Sequence, residues 1–201
     1  RWLSLACGAA HPVIDSLSKV RESGGPIPHL DLVDLDSGAL ALARGYADAA
    51  HLRGSVSTHR MNILNRSGVA PLALTHRLVR PLRRGYDLVE AIGLMEYLKI
   101  EDWPYSYDKV VRTQTVMAGA RTFLRNAWAL VKPNGLLIFG NMLDSHPQLS
   151  FTLNVLQWPL IQPRSVSEIL SLLDEANVDG ERQVLLPGDG VYAIYAVRKP
   201  S

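Results

Sequence analysis

The strongest constraint on the fold is the way two short apolar runs end. Residues 3–6 form an apolar strand pattern that leads into the small-residue turn Gly8-Ala9-Ala10, and the apolar run at residues 30–35 contains Asp34. Small residues after a strand let the backbone approach a ligand closely, and a carboxylate at the end of the next strand can accept hydrogen bonds from ribose hydroxyls. The pair predicts a nucleoside pocket, with an ordinary strand-to-helix turn as the structural alternative.

Apolar strand patterns and helical patterns alternate along the rest of the chain. Asp36 or Ser37 is expected to cap the second helix, and Asn134-Gly135 predicts a turn because both residues tolerate positive φ. We predict strands at residues 3–6, 30–35, 55–61, 86–92 and 136–140, helices at 13–21, 39–52, 121–130 and 165–176, a terminal hairpin at 183–186 and 191–197, a short helix or loop at 71–84, and a loop around 103–105.

Alternating strands and helices predict one α/β domain over residues 1–201. Its sheet should be doubly wound, mostly parallel and seven-stranded, with helices on both faces and a terminal antiparallel hairpin. Gly8, Asp34, Asn62 and Gly93 all end or follow predicted strands. Because parallel strands share one carboxyl edge, these four residues should meet there, which favours a binding site over independent turns.

Composition excludes several classes of protein. The formal net charge of +2 gives no reason to expect nucleic-acid binding, and 47% hydrophobic residues among 201 is typical of a globular protein. The single cysteine, Cys7, argues against a disulfide framework or a cysteine-based metal cluster. No apolar run reaches the roughly 18 to 20 residues that span a bilayer. We expect a cytoplasmic protein without a metal or membrane insertion, and we expect elements preceding Arg1 that this sequence does not contain.

Read in order, four segments resemble the class I S-adenosylmethionine-dependent methyltransferases over nearly the whole chain. Residues 3–8 are similar to that family's cofactor loop, and residues 32–36 with 39–44 to its second strand and helix. Residues 86–89 with 93–98 resemble its fourth strand and following helix start, and 130–138 its turn into the fifth strand. Each motif is weak alone, whereas the ordered set is fairly specific.

The resemblance implies S-adenosylmethionine as cofactor and S-adenosylhomocysteine as product. Gly8 would lie against the methionine part, Asp34 would accept hydrogen bonds from the ribose hydroxyls, and Asn62 and Ile63 would contact adenine. Ala10 stands where the family usually has a second glycine. The full set of expected cofactor residues is Ala6, Cys7, Gly8, Ala9, Asp34, Leu35, Asn62, Ile63, Ala91, Ile92 and Gly93.

Residues after the fourth and fifth strands are candidates for the acceptor side. Methyl transfer needs mainly alignment and a modest base, so Tyr97 and His146 are catalytic candidates, each with a packing or surface role as its structural alternative. Candidates for binding a small-molecule acceptor, carboxylate-bearing or lipid-like, are Glu96, Asn141, Trp158 and Arg164. The guanidinium fork of Arg164 would suit a carboxylate if it faced the pocket.

The sequence is also compatible with two other classes of function. A nicotinamide-dependent oxidoreductase also needs a tight glycine turn and an acid after the second strand, but its third glycine would fall near Val13. A non-catalytic binding module could keep the same fold, because fold does not determine function.

Overall fold

The computed structural model describes residues 1–64, 85–108, 113–158 and 160–201. Helices and strands are numbered within that part of the chain. The strands are β1 (Trp2–Leu5), β2 (Leu30–Asp34), β3 (Val56–Arg60), β4 (Tyr86–Ala91), β5 (Trp103–Asp108), β6 (Thr113–Met117), β7 (Val131–Met142), β8 (Glu181–Leu185) and β9 (Tyr192–Arg198). The α-helices are α1 (His11–Glu22), α2 (Ser37–Ala49), α3 (Ala120–Leu130), α4 (Leu149–Asn154) and α5 (Val166–Glu175).

Seven strands form one mixed sheet in the order β3-β2-β1-β4-β7-β9-β8. The first five in that order are parallel, and β9 and β8 join them as an antiparallel hairpin. This confirms the predicted doubly wound sheet with its terminal hairpin. Within the described part of the chain, strands β5 and β6 pair with each other as a separate antiparallel ribbon.

Helices cover both faces of the sheet because the apolar residues of β1 and β2 alternate between two cores. Leu30 and Leu32 of β2 pack with α1 and α2, whereas Val33 faces the other way and packs with α3 and α5. Asp36 caps α2 as predicted, since its Oδ1 accepts the amides of Gly38 at 2.7 Å and Ala39 at 3.3 Å. The cap holds the start of α2 next to the end of β2.

The register brings the ends of distant strands to one edge. Ser4 of β1 pairs with Leu32 of β2 and with Glu90 of β4, so these three strands end together. Because β9 runs antiparallel, it contributes its first residue there, and Tyr192 pairs with Met142 at the end of β7. The carboxyl edge of the parallel strands therefore also receives the start of β9.

The structure differs from the sequence prediction around the fifth predicted strand. Strand β7 begins at Val131, and the predicted Asn134-Gly135 turn lies inside it, where Asn134 has φ 62° beside an irregularity in the pairing with β4. The loop predicted around residues 103–105 was wrong, because β5 begins at Trp103. Helix α4 was not predicted, and residues 71–84 lie outside the described part.

No described helix is long and apolar enough to cross a membrane.

Candidate functional site

The turn after β1 has an unusual backbone. Ala6, Gly8 and Ala10 all have left-handed φ values, of 51°, 53° and 51°. Alanine adopts this conformation at a cost, and such residues are concentrated at sites where the chain must be held in one shape. A Cβ added to Gly8 would meet nothing within 4 Å, so the turn faces open space. The backbone is therefore shaped to leave room above Gly8.

Asp34, at the end of β2, holds this turn in place. Its Oδ2 accepts the backbone amide of Gly8 at 2.8 Å, and its Oδ1 accepts the amide of Asp36 at 2.9 Å. Each carboxylate oxygen has a further lone pair, so the carboxylate can still accept hydrogen bonds from a ligand. Gly8 and Asp34, which the sequence pattern predicted to lie in one pocket, are therefore in direct contact.

A mostly apolar cavity of about 220 Å³ lies beside Asp34. Of the expected cofactor residues, it is lined by Ala6, Asp34, Leu35, Asn62 and Ile63. Four further lining residues were not predicted, namely Met61, Leu64, Leu94 and Met117. The first three adjoin predicted site residues and could have been found, whereas Met117 ends β6, which was not predicted.

Two of the expected cofactor residues also shape the cavity wall and the edge above it. Asn62 Oδ1 accepts the Leu64 amide at 3.1 Å, which turns the chain along the cavity. Gly93 follows β4 with φ 83°, and a Cβ there would meet nothing within 4 Å. Like Gly8, Gly93 lies where backbone faces open space at the carboxyl edge. Cys7 and Ala9 belong to the turn itself, and Ala91 and Ile92 lead from β4 to Gly93.

Glu90 is a half-buried carboxylate that was not predicted as a site residue. It accepts a hydrogen bond from the Ser4 hydroxyl across the β1–β4 pair, and its Oε2 accepts the Ile92 amide at 3.1 Å. Burial raises the pKa of Glu90, and the bonds from Ser4 and Ile92 oppose that rise. Its charge also acts on Cys7, whose pKa rises to about 12 through burial and the nearby Asp34 and Glu90 carboxylates.

A second polar centre involves Glu96, in the short helical turn Met95–Tyr97 that follows β4. Its side chain is buried, and its Oε2 accepts the Tyr192 hydroxyl at 2.6 Å. Burial raises the pKa of the Glu96 carboxyl, and the Tyr192 bond opposes the rise. Burial and the neighbouring Glu96 raise the pKa of Tyr192 as well. Tyr192 was missed because it begins an antiparallel strand, where the strand-end pattern does not apply.

Gly140 makes room for the Tyr192 ring. A Cβ at Gly140 would lie 2.2 Å from Tyr192 Cε1 and 2.9 Å from its Cδ1, which no side chain could occupy. The ring therefore lies against Gly140 of β7, and its hydroxyl donates to Glu96. The position of this pair depends on a glycine in a different strand.

Tyr97 and Trp158, predicted separately, are brought together at the surface. Trp158 Nε1 donates to the Tyr97 hydroxyl at 2.8 Å, and the ring centroids are 6.5 Å apart. The amide of Gln162 donates to the Glu96 carbonyl, so the segment after Trp158 is tied to the turn that carries Glu96 and Tyr97. The two aromatic side chains therefore lie on segments that are joined, through the backbone, at the turn that carries Glu96.

Arg164 and Asn141 are buried and bonded to each other. Arg164 donates to the carbonyl of Met95 at 3.0 Å, to Asn141 Oδ1 at 3.1 Å and to the carbonyl of Leu98. Asn141 Nδ2 donates to the Met142 carbonyl at 2.7 Å. These bonds direct the guanidinium towards the protein's own backbone around Met95 to Leu98, where it holds the turn after β4.

His146 lies in the loop after β7 and is buried. Its Nδ1 accepts the Gln148 amide at 3.1 Å, which requires the proton of a neutral ring to be on Nε2. This bond makes His146 part of the loop that leads into α4. Among the described residues, no group of three or more His, Cys, Asp or Glu side chains is placed to hold a metal ion.

The residues of this edge fit a nucleoside-containing cofactor. The open space above Gly8 suits a close-lying chain, the Asp34 carboxylate suits a diol, and the apolar cavity suits a flat base.

Comparison with solved structures identifies the fold. Over its whole length the chain is similar to half (51%) of an O-methyltransferase family protein from Burkholderia thailandensis, with a TM-score of 0.65 and 19% identity. It is also similar, over its whole length, to half (50%) of the S-adenosylmethionine-dependent methyltransferase SibL, with a TM-score of 0.61 and 19% identity. A third similar structure is the N-methyltransferase NodS from Bradyrhizobium japonicum WM9, of which the whole chain covers 85%, with a TM-score of 0.53 and 18% identity.

No known family profile matches the sequence, and no curated protein matches it. The structural similarity shows that the chain has the α/β fold of class I S-adenosylmethionine-dependent methyltransferases, with its antiparallel last strand. The chain spans about half the length of the first two of those structures.

Proposed function

We propose that this chain, which has the class I methyltransferase fold, is an S-adenosylmethionine-dependent methyltransferase that acts on a small-molecule acceptor. The observation that carries the proposal is the hydrogen bond from the Gly8 amide to Asp34 Oδ2 beside the apolar cavity. It joins the two features that a nucleoside cofactor needs, a backbone turn open to the ligand and a carboxylate for its ribose. The names of the similar structures, which include O- and N-methyltransferases, support the same reaction class.

In this proposal each part of the edge has one task. Asp34 accepts the ribose hydroxyls, Leu35 and Ile63 contact the adenine, and the backbone at Gly8 and Gly93 lies along the methionine part. When bound, S-adenosylmethionine supplies an electrophilic methyl group on a positively charged sulfur. The protein then has to align the acceptor with that group and remove water, which requires no covalent residue.

Calorimetric titration of the chain with S-adenosylmethionine, S-adenosylhomocysteine and NAD tests the proposal. We expect micromolar binding of the first two, on the order of −8 kcal/mol, and weaker binding of NAD. Asp34→Ala should weaken binding by about tenfold to a hundredfold, because it removes the acceptor for the ribose hydroxyls.

Asp36→Asn is the matched control for Asp34→Ala. Asparagine is as good an N-cap as aspartate, so α2 and the fold should be retained and affinity unchanged. Circular dichroism of each variant verifies folding. A folded protein that binds neither sulfonium nor thioether cofactor would contradict the proposal, and preferential binding of NAD would favour the oxidoreductase instead.

A further inference from the structure

Arg60 is the last residue of β3 and connects two sides of the cavity beside Asp34. Its backbone continues into residues 61–64, which line one side of that cavity. Its side chain extends to another lining residue, Leu35, where the Arg60 Nε donates to the Leu35 carbonyl at 3.2 Å. Arg60 is therefore joined to one side through its backbone and to the other through its side chain.

Strand register places Arg60 where this bond can form. Asp34 and Arg60 are partners in the parallel β2–β3 pair, and the Asp34 carbonyl accepts the Met61 amide at 2.8 Å. Strand β2 ends at Asp34, so Leu35 is the first residue of the turn that follows. The bond from the Arg60 side chain therefore extends the connection between the two strands by one residue, into this turn.

The charges of Arg60 and Asp34 do not neutralise each other. Neither residue takes part in an ion pair between described residues. The Asp34 carboxylate is bonded to the amides of Gly8 and Asp36, and each of its oxygens keeps a lone pair for a ligand. The Arg60 side chain thus acts on the neighbouring carbonyl and leaves the carboxylate available to ribose hydroxyls.

Leu35 is the residue whose position depends on this bond. It lines the cavity, and its side chain is 56% exposed, so a flat base that covered it would gain free energy from burial of its apolar surface. A bond to the Leu35 carbonyl limits the movement of the whole residue, including its side chain. A binding surface that is already in position loses less conformational entropy when the ligand binds.

We infer that Arg60 is a positioning residue for the cofactor, which holds Leu35 and the turn after β2 in place against the adenine. This inference rests on the proposed function, because it concerns the adenine part of the same cofactor. Arg60 acts through Leu35 and does not itself contact the ligand. Because the Arg60 side chain is exposed, loss of its bond should change the affinity by about threefold to tenfold.

Calorimetric titration with S-adenosylhomocysteine and with methylthioadenosine tests the inference. Methylthioadenosine keeps the adenosine and lacks the amino-acid part. Arg60→Met keeps a long apolar side chain and removes the donors, so it should weaken binding of both ligands by the same factor, about threefold to tenfold. Arg60→Lys should recover at least about half of the lost binding free energy, because its ammonium group can donate to the same carbonyl.

Arg44→Met is the matched control. Arg44 is also exposed, and it donates to Thr58 Oγ1 of the same strand at 2.7 Å, but it does not line the cavity beside Asp34. Its replacement removes an equal charge and leaves the bond to Leu35, so both affinities should be unchanged. Urea unfolding of each variant is measured in parallel, because a merely structural role would lower the midpoint of Arg60→Met without weakening binding by the folded protein.

Unchanged affinity in Arg60→Met, no recovery in Arg60→Lys or an equal loss in Arg44→Met would overturn the inference. A loss with S-adenosylhomocysteine but not with methylthioadenosine would also overturn it, because the effect would then lie at the amino-acid part. Each of these results, obtained with an unsubstituted protein that binds S-adenosylhomocysteine, leaves the proposed function standing. An unsubstituted protein that binds neither ligand overturns both proposals.

Discussion

Cys7 shows how its surroundings change the chemistry of a single side chain. The thiol belongs to the turn that holds Gly8, and its Sγ contacts the Gly8 carbonyl at 3.4 Å. Burial first, and then the Asp34 and Glu90 carboxylates, raise its pKa from 9.0 to about 12. Because the thiolate is the reactive form, the only cysteine of the chain should be inert in the folded protein.

We predict that iodoacetamide alkylates Cys7 on the order of a thousandfold more slowly in the native protein than in the urea-unfolded one at pH 8. The factor follows from the thiolate fractions at the raised and ordinary pKa values. Mass spectrometry measures the rate on this single site, with glutathione added to each sample as the reference thiol. Similar rates in both states would show that the thiol is neither buried nor influenced by the two carboxylates.

Asp31 connects elements on the amino-terminal half of the sheet. It lies on β2 with 1% of its side chain exposed, accepts Arg1 at 2.6 Å just before β1, and pairs with His59 of β3 at 2.8 Å. Burial alone would raise the pKa of Asp31, but the bonds from His59 and Arg1 outweigh it, and the net shift is downward. The ionised carboxylate therefore stabilises the contact between these strands.

A lowered native pKa gives a definite pH dependence. The stabilisation is complete above the ordinary pKa of aspartate and is lost as pH falls through the lowered native value. We predict that Asp31→Asn costs about 1 to 3 kcal/mol at neutral pH, with Arg1 and His59 partly exposed and able to rehydrate. The cost should shrink towards zero in acid, as measured by urea unfolding from pH 7 down to about pH 2.5.

Asp48→Asn is the control for Asp31→Asn. Asp48 is half exposed and lies 3.6 Å from Arg53 on the surface, so its removal should change the free energy of unfolding by less than about 1 kcal/mol. An Asp31→Asn cost that stays constant over the whole pH range would show that packing, and not charge, accounts for it.

At the scale of the molecule, the sheet separates two hydrophobic cores and belongs to both. One core contains α1 and α2 with Trp2 packed against it, and the other contains α3 and α5 with Trp128. Neighbouring residues of β1 and β2 enter opposite cores, so neither core can form without the same strands. One domain over residues 1–201 stays a prediction from the sequence, and the sharing of strands between the two cores supports it.

We predict that the chain unfolds in one cooperative transition, with far-ultraviolet circular dichroism and tryptophan fluorescence giving the same urea midpoint. Trp2→Phe removes the tryptophan that reports on the first core. The fluorescence of the remaining tryptophans should then give the same urea midpoint as the circular dichroism of the same variant. Two resolved transitions, or separate midpoints for the two probes, would show that the chain contains two independently folding units.

The sequence by itself determined what depends on neighbouring residues. Strands β1 to β4, the Asp36 cap and the hairpin of β8 and β9 follow from periodicity and turn chemistry, which act within about ten residues. The proximity of Gly8 and Asp34 could be predicted from the sequence, because the carboxyl ends of neighbouring parallel strands lie at the same edge of a sheet. The sequence pattern therefore predicted the side of the cavity formed by Ala6, Asp34 and Leu35, whereas Met117 on β6 was not predicted.

Only the tertiary structure decided what depends on register and packing between distant segments. Tyr192 reaches Glu96 across 96 positions of sequence, because β9 is antiparallel and Gly140 leaves space for its ring. Arg164 is directed to the carbonyls of Met95 and Leu98, although its sequence context suited a ligand equally well. Local patterns specify which side chains are available, whereas strand register and close packing determine which of them meet.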